Sequence, residues 1–570
     1  MKRINSLPTV IIIFALILSS CGSVSKMVNN ASNVKYTVTP SPLEMRGGKV
    51  EVKISVQYPE KFFNKKAIVT LKPVLQYEGG SAELPTKSLQ GESVEANNEV
   101  IKYDVGGTVE YSATIDYVPG MLSSKLMMSA VITMKGKDNT LPAVEIAQGV
   151  LSSADLVQKE SKAIAQKDNF QRVTAESYMA DIHYMIQNWN VNPKELQQED
   201  MKKLDEYLSK IKSDARVALK NVAIDAYASP DGAIELNEKV SKGRKGSASS
   251  VLTQKTKKAG VKIDDANYTE KAVTEDWDGF KAAVEASSIQ DKELILRVLS
   301  MYADPVVREK ELKNMAATFD VLAKDILPKL RRSEFTLNIE VMGRSDEEIL
   351  AAVESNIEVL SIEEMLYAAS MVSDLEKRLT IYQKAAEKYP SDYRAKNNVG
   401  YVLYQQGNID AAEEAFKASK ELNDNDIVNN NLGAVAFKKG NLAQAEELFT
   451  ASLGAGEVAN HNLGTIKIIK GEYEAAVNYF GSSCSANAGL ARLLQGNNDE
   501  ALKSLECIEN PEAIVYYIKA IVGARTQNES LLLNNLRLAV GKDASLKERA
   551  KKDLEFRNYF INGTFKSIIE

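Results

Sequence analysis

The last third of the chain carries one unit written out several times. "NNVGYVLYQQGNIDAAEEAF", "NNLGAVAFKKGNLAQAEELF" and "HNLGTIKIIKGEYEAAVNYF" align residue for residue. Their glycines, Gly400, Gly433 and Gly464, stand 33 and 31 residues apart, and "NAGLARLLQGNNDEALKSL" follows as a fourth copy after a shortened link. A helix–turn–helix unit of this length cannot bury its apolar face alone, so neighbouring copies must stack. Small residues recur on both helices, at Gly400/Ala412, Gly433/Ala445, Gly464/Ala476 and Gly489/Ala501. They let the helices cross tightly, and Phe416, Phe449 and Phe480 fill the gap to the next copy. A region with this period folds into an all-α superhelix.

That register resembles the tetratricopeptide (TPR) family over residues 360–570. "EEMLYAASMVSDLEKRLTIYQKAAEKYP" reads as a degenerate first repeat, "AIVYYIKAIVGARTQNESLLLNNLRLAV" as a last one, and "SLKERAKKDLEFRNYF" as a capping helix. The resemblance implies a concave groove, lined by each first helix, that binds an extended peptide or a helix of a protein partner. The groove positions are Asn397, Tyr401, Asn430, Lys438, His461 and Thr465. The Lys/Asn set with which some members clamp a C-terminal carboxylate is not visible at these positions. Asn398, Asn431 and Asn462 recur just before the Leu/Val-Gly pair and are expected to brace helix packing rather than touch a ligand.

With 570 residues, and domains of roughly 150, three to four domains are expected. The net charge is −6 and no basic stripe stands out, so nucleic acid is not an expected partner. Only His183 and His461 occur, which removes most histidine-based metal and triad chemistry. No metal, cofactor or catalytic residue is expected. The cysteines are Cys21, Cys484 and Cys507. Cys484 and Cys507 fall in neighbouring helices of the fourth and fifth repeats. They form either a disulfide, in an oxidising compartment, or two small buried apolar residues.

Residues 1–20 read as a signal peptide: Lys2 and Arg3, a short apolar run from Leu7 to Leu18, then Leu18-Ser19-Ser20-Cys21. This resembles a bacterial lipobox and implies lipidation of Cys21. Residues 21–35 would be a tether. Gly22, rather than Asp, after the cysteine favours the outer membrane by resemblance to known lipoprotein sorting. The absence of an acidic cluster favours its periplasmic face over the cell surface.

Residues 36–151 alternate apolar and polar side chains, as in "KVEVKISVQYP", with Gly79-Gly80 and Gly106-Gly107 as turns. The pattern predicts an all-β, immunoglobulin-like sandwich acting as a spacer. Helical signals begin near Ser153, in "SADLVQKESKAIAQ".

Residues 165–343 mix strands and helices. In "YASPDGAIELNEKVSKGR", Tyr227, Gly232, Asn237, Ser241 and Arg244 match the pattern of OmpA-like domains. With "EDWDG" and the arginine pair before the last strand, the segment resembles a variant of that domain common in Bacteroidetes envelope proteins. The resemblance implies an α+β domain with a helical insertion. In peptidoglycan-binding members an Asp takes the ammonium of diaminopimelate and an Arg forks its carboxylate. Here the Arg position is Arg244, but Ser229 stands at the Asp position; Asp231, two residues on, could serve only if the turn redirects it. The expected clamp is therefore Ser229, Asp231, Asn237 and Arg244.

Together these features describe a non-catalytic envelope scaffold lipoprotein, anchored by lipid at the outer membrane. Its repeats take a protein partner, and its degenerate OmpA-like domain contacts peptidoglycan. The alternative is an assembly subunit of an envelope secretion or outer-membrane complex that binds no peptidoglycan.

Overall fold

A computed structural model describes residues 23–570; the expected signal peptide and Cys21 lie outside them. The chain divides into two compact units. One comprises residues up to 167 together with 373–570, and the other is residues 168–372, inserted between them.

In the first unit the alternating segments form two sheets. In one, strand Lys49–Tyr58 pairs antiparallel with Gly107–Asp116 along one edge, and with Lys35–Thr39 and Leu43–Arg46 along the other. In the second, Ile68–Tyr77 pairs antiparallel with Ser124–Met134, which continues into Lys137–Gln148. The inward faces, Val50, Val52, Ile54 and Val56 against Leu71, Leu75, Leu126 and Met128, are buried in one apolar cluster. Period-two patterning thus fixes which side chains enter the core.

The repeats are paired helices from Leu375–Lys388 to Glu529–Lys542, closed by short helices Leu546–Ala550 and Gly563–Ile569. Their crossings explain the recurring glycines. A Cβ on Gly400, Gly433 or Gly464 would stand 2.7 Å from the ring of Phe416, Phe449 or Phe480. In the fourth copy Leu505 takes the place of the Phe, 2.5 Å from the corresponding point on Gly489. No side chain larger than hydrogen fits such a crossing without moving a buried neighbour. Helix Ile362–Met371, expected to open the repeats, belongs instead to the inserted unit.

The strand-rich region is not an independent spacer. Its core continues into that of the later repeats through Ile468, Tyr473 and Phe480. Arg46 Nε donates to the carbonyl of Gly471 at 2.7 Å, and the Arg46 guanidinium lies 5.1 Å from the Tyr473 ring centroid.

Cys484 and Cys507 are bonded, with Cα atoms 5.7 Å apart. The bridge spans 23 residues and ties the turn before helix Ala486–Gln495 to the end of helix Asn498–Glu506. Closing a loop of this size restricts the unfolded chain by about 3 kcal/mol. Replacing both cysteines by serine is expected to lower unfolding stability by about that amount in urea titrations without altering helix content.

The inserted unit holds a four-stranded sheet in the order Val173–His183, Arg332–Met342, Val217–Tyr227, Tyr268–Val273, the last pair parallel. Strand Tyr268–Val273 has no counterpart in the pattern of the sequence, because "YTEKAV" is too polar to show an apolar face. Helices Glu199–Ser213 and Ile234–Ala259 cover the sheet with Met201, Leu204, Leu208, Ala248 and Leu252. Gly260 ends the second helix at φ +69°, the left-handed conformation that glycine adopts most cheaply. Helices between Trp277 and Asp325 form the expected insertion, with their own core around Phe280, Ile295 and Leu322.

Candidate functional site

The segment after the sandwich is not a helix. Beyond a short 3-10 turn at Ser153–Leu156 it runs extended to residue 167. Its backbone groups find partners elsewhere, and those partners are the recurring asparagines.

Each of four asparagines holds one strap residue by both its N–H and its C=O. Asn398 accepts from Gln166 N at 2.7 Å and donates to Gln166 O at 2.9 Å. Asn431 does the same to Ile164 (2.7 and 2.8 Å), and Asn462 to Lys162 (2.8 and 2.9 Å). Asn487 takes Gln158 (2.8 and 2.9 Å). The strap residues alternate, 162, 164 and 166, because an extended chain presents equivalent groups every second residue. The step from Lys162 to Gln158 is longer, with a local bond from Glu160 N to Gln158 O at 2.8 Å. It coincides with the shortened link of the fourth repeat. The strap runs antiparallel to the order of the repeats.

A second asparagine row supports the first. Asn397 Nδ2 donates to Ile164 O at 3.1 Å and Asn430 Nδ2 to Lys162 O at 3.0 Å. Their carboxamide oxygens accept from Asn431 at 2.9 Å and from Asn462 at 3.0 Å. All these carboxamides are buried, so each bond offsets the desolvation cost of its two groups. The Tyr404 hydroxyl reaches Ser161 O at 2.8 Å, and Ala163 packs against the repeat cores.

The grip is made mainly with the main chain; of the strap side chains, Ser161 Oγ bonds to the Tyr404 hydroxyl at 2.7 Å and to Ala434 O at 3.2 Å, and Gln166 Nε2 to Asn425 at 3.1 Å. From Gln158 to Gln166 only Ser161 is buried; Lys159, Glu160 and Lys162 point to solvent. The eight bidentate bonds contribute about 1 kcal/mol each. Ordering the backbone costs at least about 1 kcal/mol per residue, so the two terms are of similar size over this segment.

Three expectations change here. Asn398, Asn431 and Asn462 do more than brace helices: they are the principal contacts of the groove. Asn397 and Asn430 line it as expected but hold this chain's own backbone. The helix expected from Ser153 onward is an extended strap. Thr465 contributes by accepting from Asn487 Nδ2 at 3.1 Å. Tyr401 bonds to Gln405 and Lys438 is exposed, so neither grips the strap. Asn487 and Tyr404 were missed. Asn487 carried a signal, since it lies two residues before Gly489, as Asn398, Asn431 and Asn462 lie before their glycines.

His461 packs edge-on to Phe480, with ring centroids 5.6 Å apart. Burial, and then the charge of Lys162 on the strap, push its pKa from 6.5 down to about 4. Above pH 6.5 it is neutral whether the chain is folded or not. Between 6.5 and 4 the unfolded chain takes up a proton that the folded site refuses, so stability falls with pH in that window and levels off below it. The contribution is about 3 kcal/mol. His461→Gln is expected to lose correspondingly less stability than the wild type when denaturant midpoints at pH 7 and pH 4.5 are compared.

In the inserted unit, Arg244 faces inward with 1 % of its surface exposed. Its guanidinium donates to three main-chain carbonyls: Tyr227 at 2.7 Å, Asn188 at 3.0 Å and Met185 at 3.3 Å. With burial first among the causes, its pKa falls to about 10. Asp231 pairs with Arg331 at 3.3 Å and accepts a bond from Ser229 Oγ. Asn237 braces the turn, donating to Gly232 O at 2.9 Å and Ser229 O at 3.2 Å. The structure therefore gathers Ser229, Asp231 and Asn237 around the Pro-Asp-Gly turn and uses Arg244 to tie together three backbone segments. The expected clamp is not formed, because Arg244 is enclosed and Asp231 already has a cation. Asp276 of "EDWDG" caps helix Trp277–Glu285 through Gly279 N and receives Arg332 at 2.7 Å, a structural role.

Among the described residues no cluster of His, Cys, Asp and Glu is arranged to hold a metal ion, and no helix is long and apolar enough to cross a membrane.

The tetratricopeptide repeat family matches the sequence at residues 379–427. The C-terminal repeats are tetratricopeptide repeats. Among solved structures, a tetratricopeptide repeat protein from Parabacteroides merdae is similar at 14% identity, covering 37% of this chain and 91% of its own, with a TM-score of 0.28. YrrB, described as a TPR protein with an unusual peptide-binding site, shares 19% identity over 33% of this chain and 98% of its own, with a TM-score of 0.23. The Cut9–Hcn1 hetero-tetramer of the APC/C matches at 14% identity over 59% and 73%, with a TM-score of 0.32. A comparison with curated proteins finds no match. TPR modules serve protein–protein interaction, and the repeats mark this chain as carrying one.

Proposed function

We propose that this protein is a non-catalytic scaffold lipoprotein of the cell envelope. It is held by lipid on Cys21 at the periplasmic face of the outer membrane, and its TPR module engages a protein partner. The observation that carries the reading is the asparagine ladder: four repeats each present a carboxamide that grips both the N–H and the C=O of one residue of an extended polypeptide backbone. The Cys484–Cys507 disulfide fits an oxidising compartment such as the periplasm. For the inserted OmpA-like unit, the enclosure of Arg244 favours the reading as an assembly subunit over a wall clamp.

Two measurements test this. Cys21→Ser should move the protein from the outer-membrane fraction to the soluble fraction; an unchanged distribution counts against the lipid anchor. The wild-type chain should not sediment with purified peptidoglycan, while cross-linking in cells should join it to a defined membrane complex. Sedimentation with peptidoglycan that is lost on Asp231→Ala would restore the clamp.

A further inference from the structure

The groove expected to receive a partner already holds residues 158–166 of the same chain. We propose that this strap is a displaceable cis-ligand, and that a partner enters with an extended segment of small side chains at alternate positions after expelling it. The inference rests on the reading of the groove as a protein-binding surface and adds how that surface is gated.

Three observations support displacement. The ladder reads main-chain N–H and C=O groups, which every extended non-proline segment carries, so nothing in it is specific to the strap. The strap places Ser161 and Ala163 against the repeats and carries no large apolar anchor of the kind that dominates tight interfaces. Its upstream end is fixed by Leu156 and Val157, buried in the sandwich core. An expelled strap therefore stays tethered and competes at high effective concentration. A partner wins by adding side-chain contacts that the strap lacks, and an isolated generic peptide does not.

The direct test uses the full chain with residues 158–166 replaced by a Gly/Ser segment of equal length. The probe is a fluorescent peptide of sequence LVQKESKAIAQK. Anisotropy should show binding to the replaced chain, at least ten-fold weaker binding to the wild type, and at least ten-fold loss when Asn431→Leu and Asn462→Leu are added to the replaced chain. No binding to a replaced chain that melts like the wild type overturns the proposal, as does equal binding to both. A second measurement needs only the wild type: trypsin cleavage after Lys162 under native conditions. Cleavage through local opening shows little dependence on added urea. Cleavage that tracks global unfolding means that the strap is a permanent part of the repeat fold, which overturns the proposal and leaves partners to another face. A failure to recover any protein partner would instead count against the reading of the groove itself.

Discussion

Replacing Asn431 and Asn462 together by leucine is expected to free the strap while leaving the helices in place. Each carboxamide satisfies an N–H and a C=O of one strap residue, and each also donates to the second row, at Asn397 and Asn430. Leucine is close in size and removes every one of these bonds. If the strap stayed, the N–H groups of Lys162 and Ile164 and the oxygens of Asn397 and Asn430 would lose these partners, at about 1–3 kcal/mol for each buried group. Expelling the strap relieves that penalty at the expense of its remaining bonds, and the expected net loss is about 3–5 kcal/mol in that unit. The readouts are the urea midpoint and the rate of trypsin cleavage after Lys162. Asn429→Ala, one residue outside the ladder and with its side chain bonded only to Asp424 and Lys420 on the outer side of its helix pair, should change stability by less than about 1 kcal/mol. If the double variant behaves like this control, the ladder does not hold the strap.

The second large effect is expected at the turn that leads into the strap. Glu555 is buried, and Arg525 meets it with Nε at 2.9 Å and Nη2 at 2.5 Å, while Nη1 donates to Leu493 O at 2.6 Å. Ser153, in the 3-10 turn that leads into the strap, donates to the same carboxylate at 2.5 Å. Arg525→Ala leaves a buried carboxylate without its cation, and the expected loss is about 3–5 kcal/mol. Arg525→Met with Glu555→Gln should recover most of it, because the cost lies in the stranded charge more than in the lost attraction. A double variant as unstable as the single would place the cost in packing.

These effects show what was legible in the sequence. The repeat period, the glycine crossings and the phenylalanine plugs could be read directly, because each is local to one helix pair and appears in several copies. The alternation of Val50, Val52, Ile54 and Val56 fixed the sandwich face in the same way. The strap could not be read so. "SADLVQKESKAIAQ" has helix-forming residues and no strand alternation. Its conformation is set by bonds to asparagines more than 200 residues away, as between Gln166 and Asn398 at a separation of 232. Local propensity loses to tertiary satisfaction of the backbone. The recurrence of Asn two residues before the repeat glycine was visible, but a buried carboxamide can brace a helix or grip a passing chain, and only the position of the strap decides between them. At Arg244 the pattern singled out the residue but not its surroundings: two of its three carbonyl partners, Met185 and Asn188, come from loop 185–188, which no pattern predicts, and the third, Tyr227, from a strand end.

The most direct test of the self-occupied groove is residue-level hydrogen exchange across 158–166 in the wild-type protein. Slow exchange is expected at the amides of Gln158, Lys162, Ile164 and Gln166, which donate to asparagine oxygens, with loss of that protection in the Asn431→Leu, Asn462→Leu variant. Exchange of all four at the rate of an unstructured peptide would contradict it.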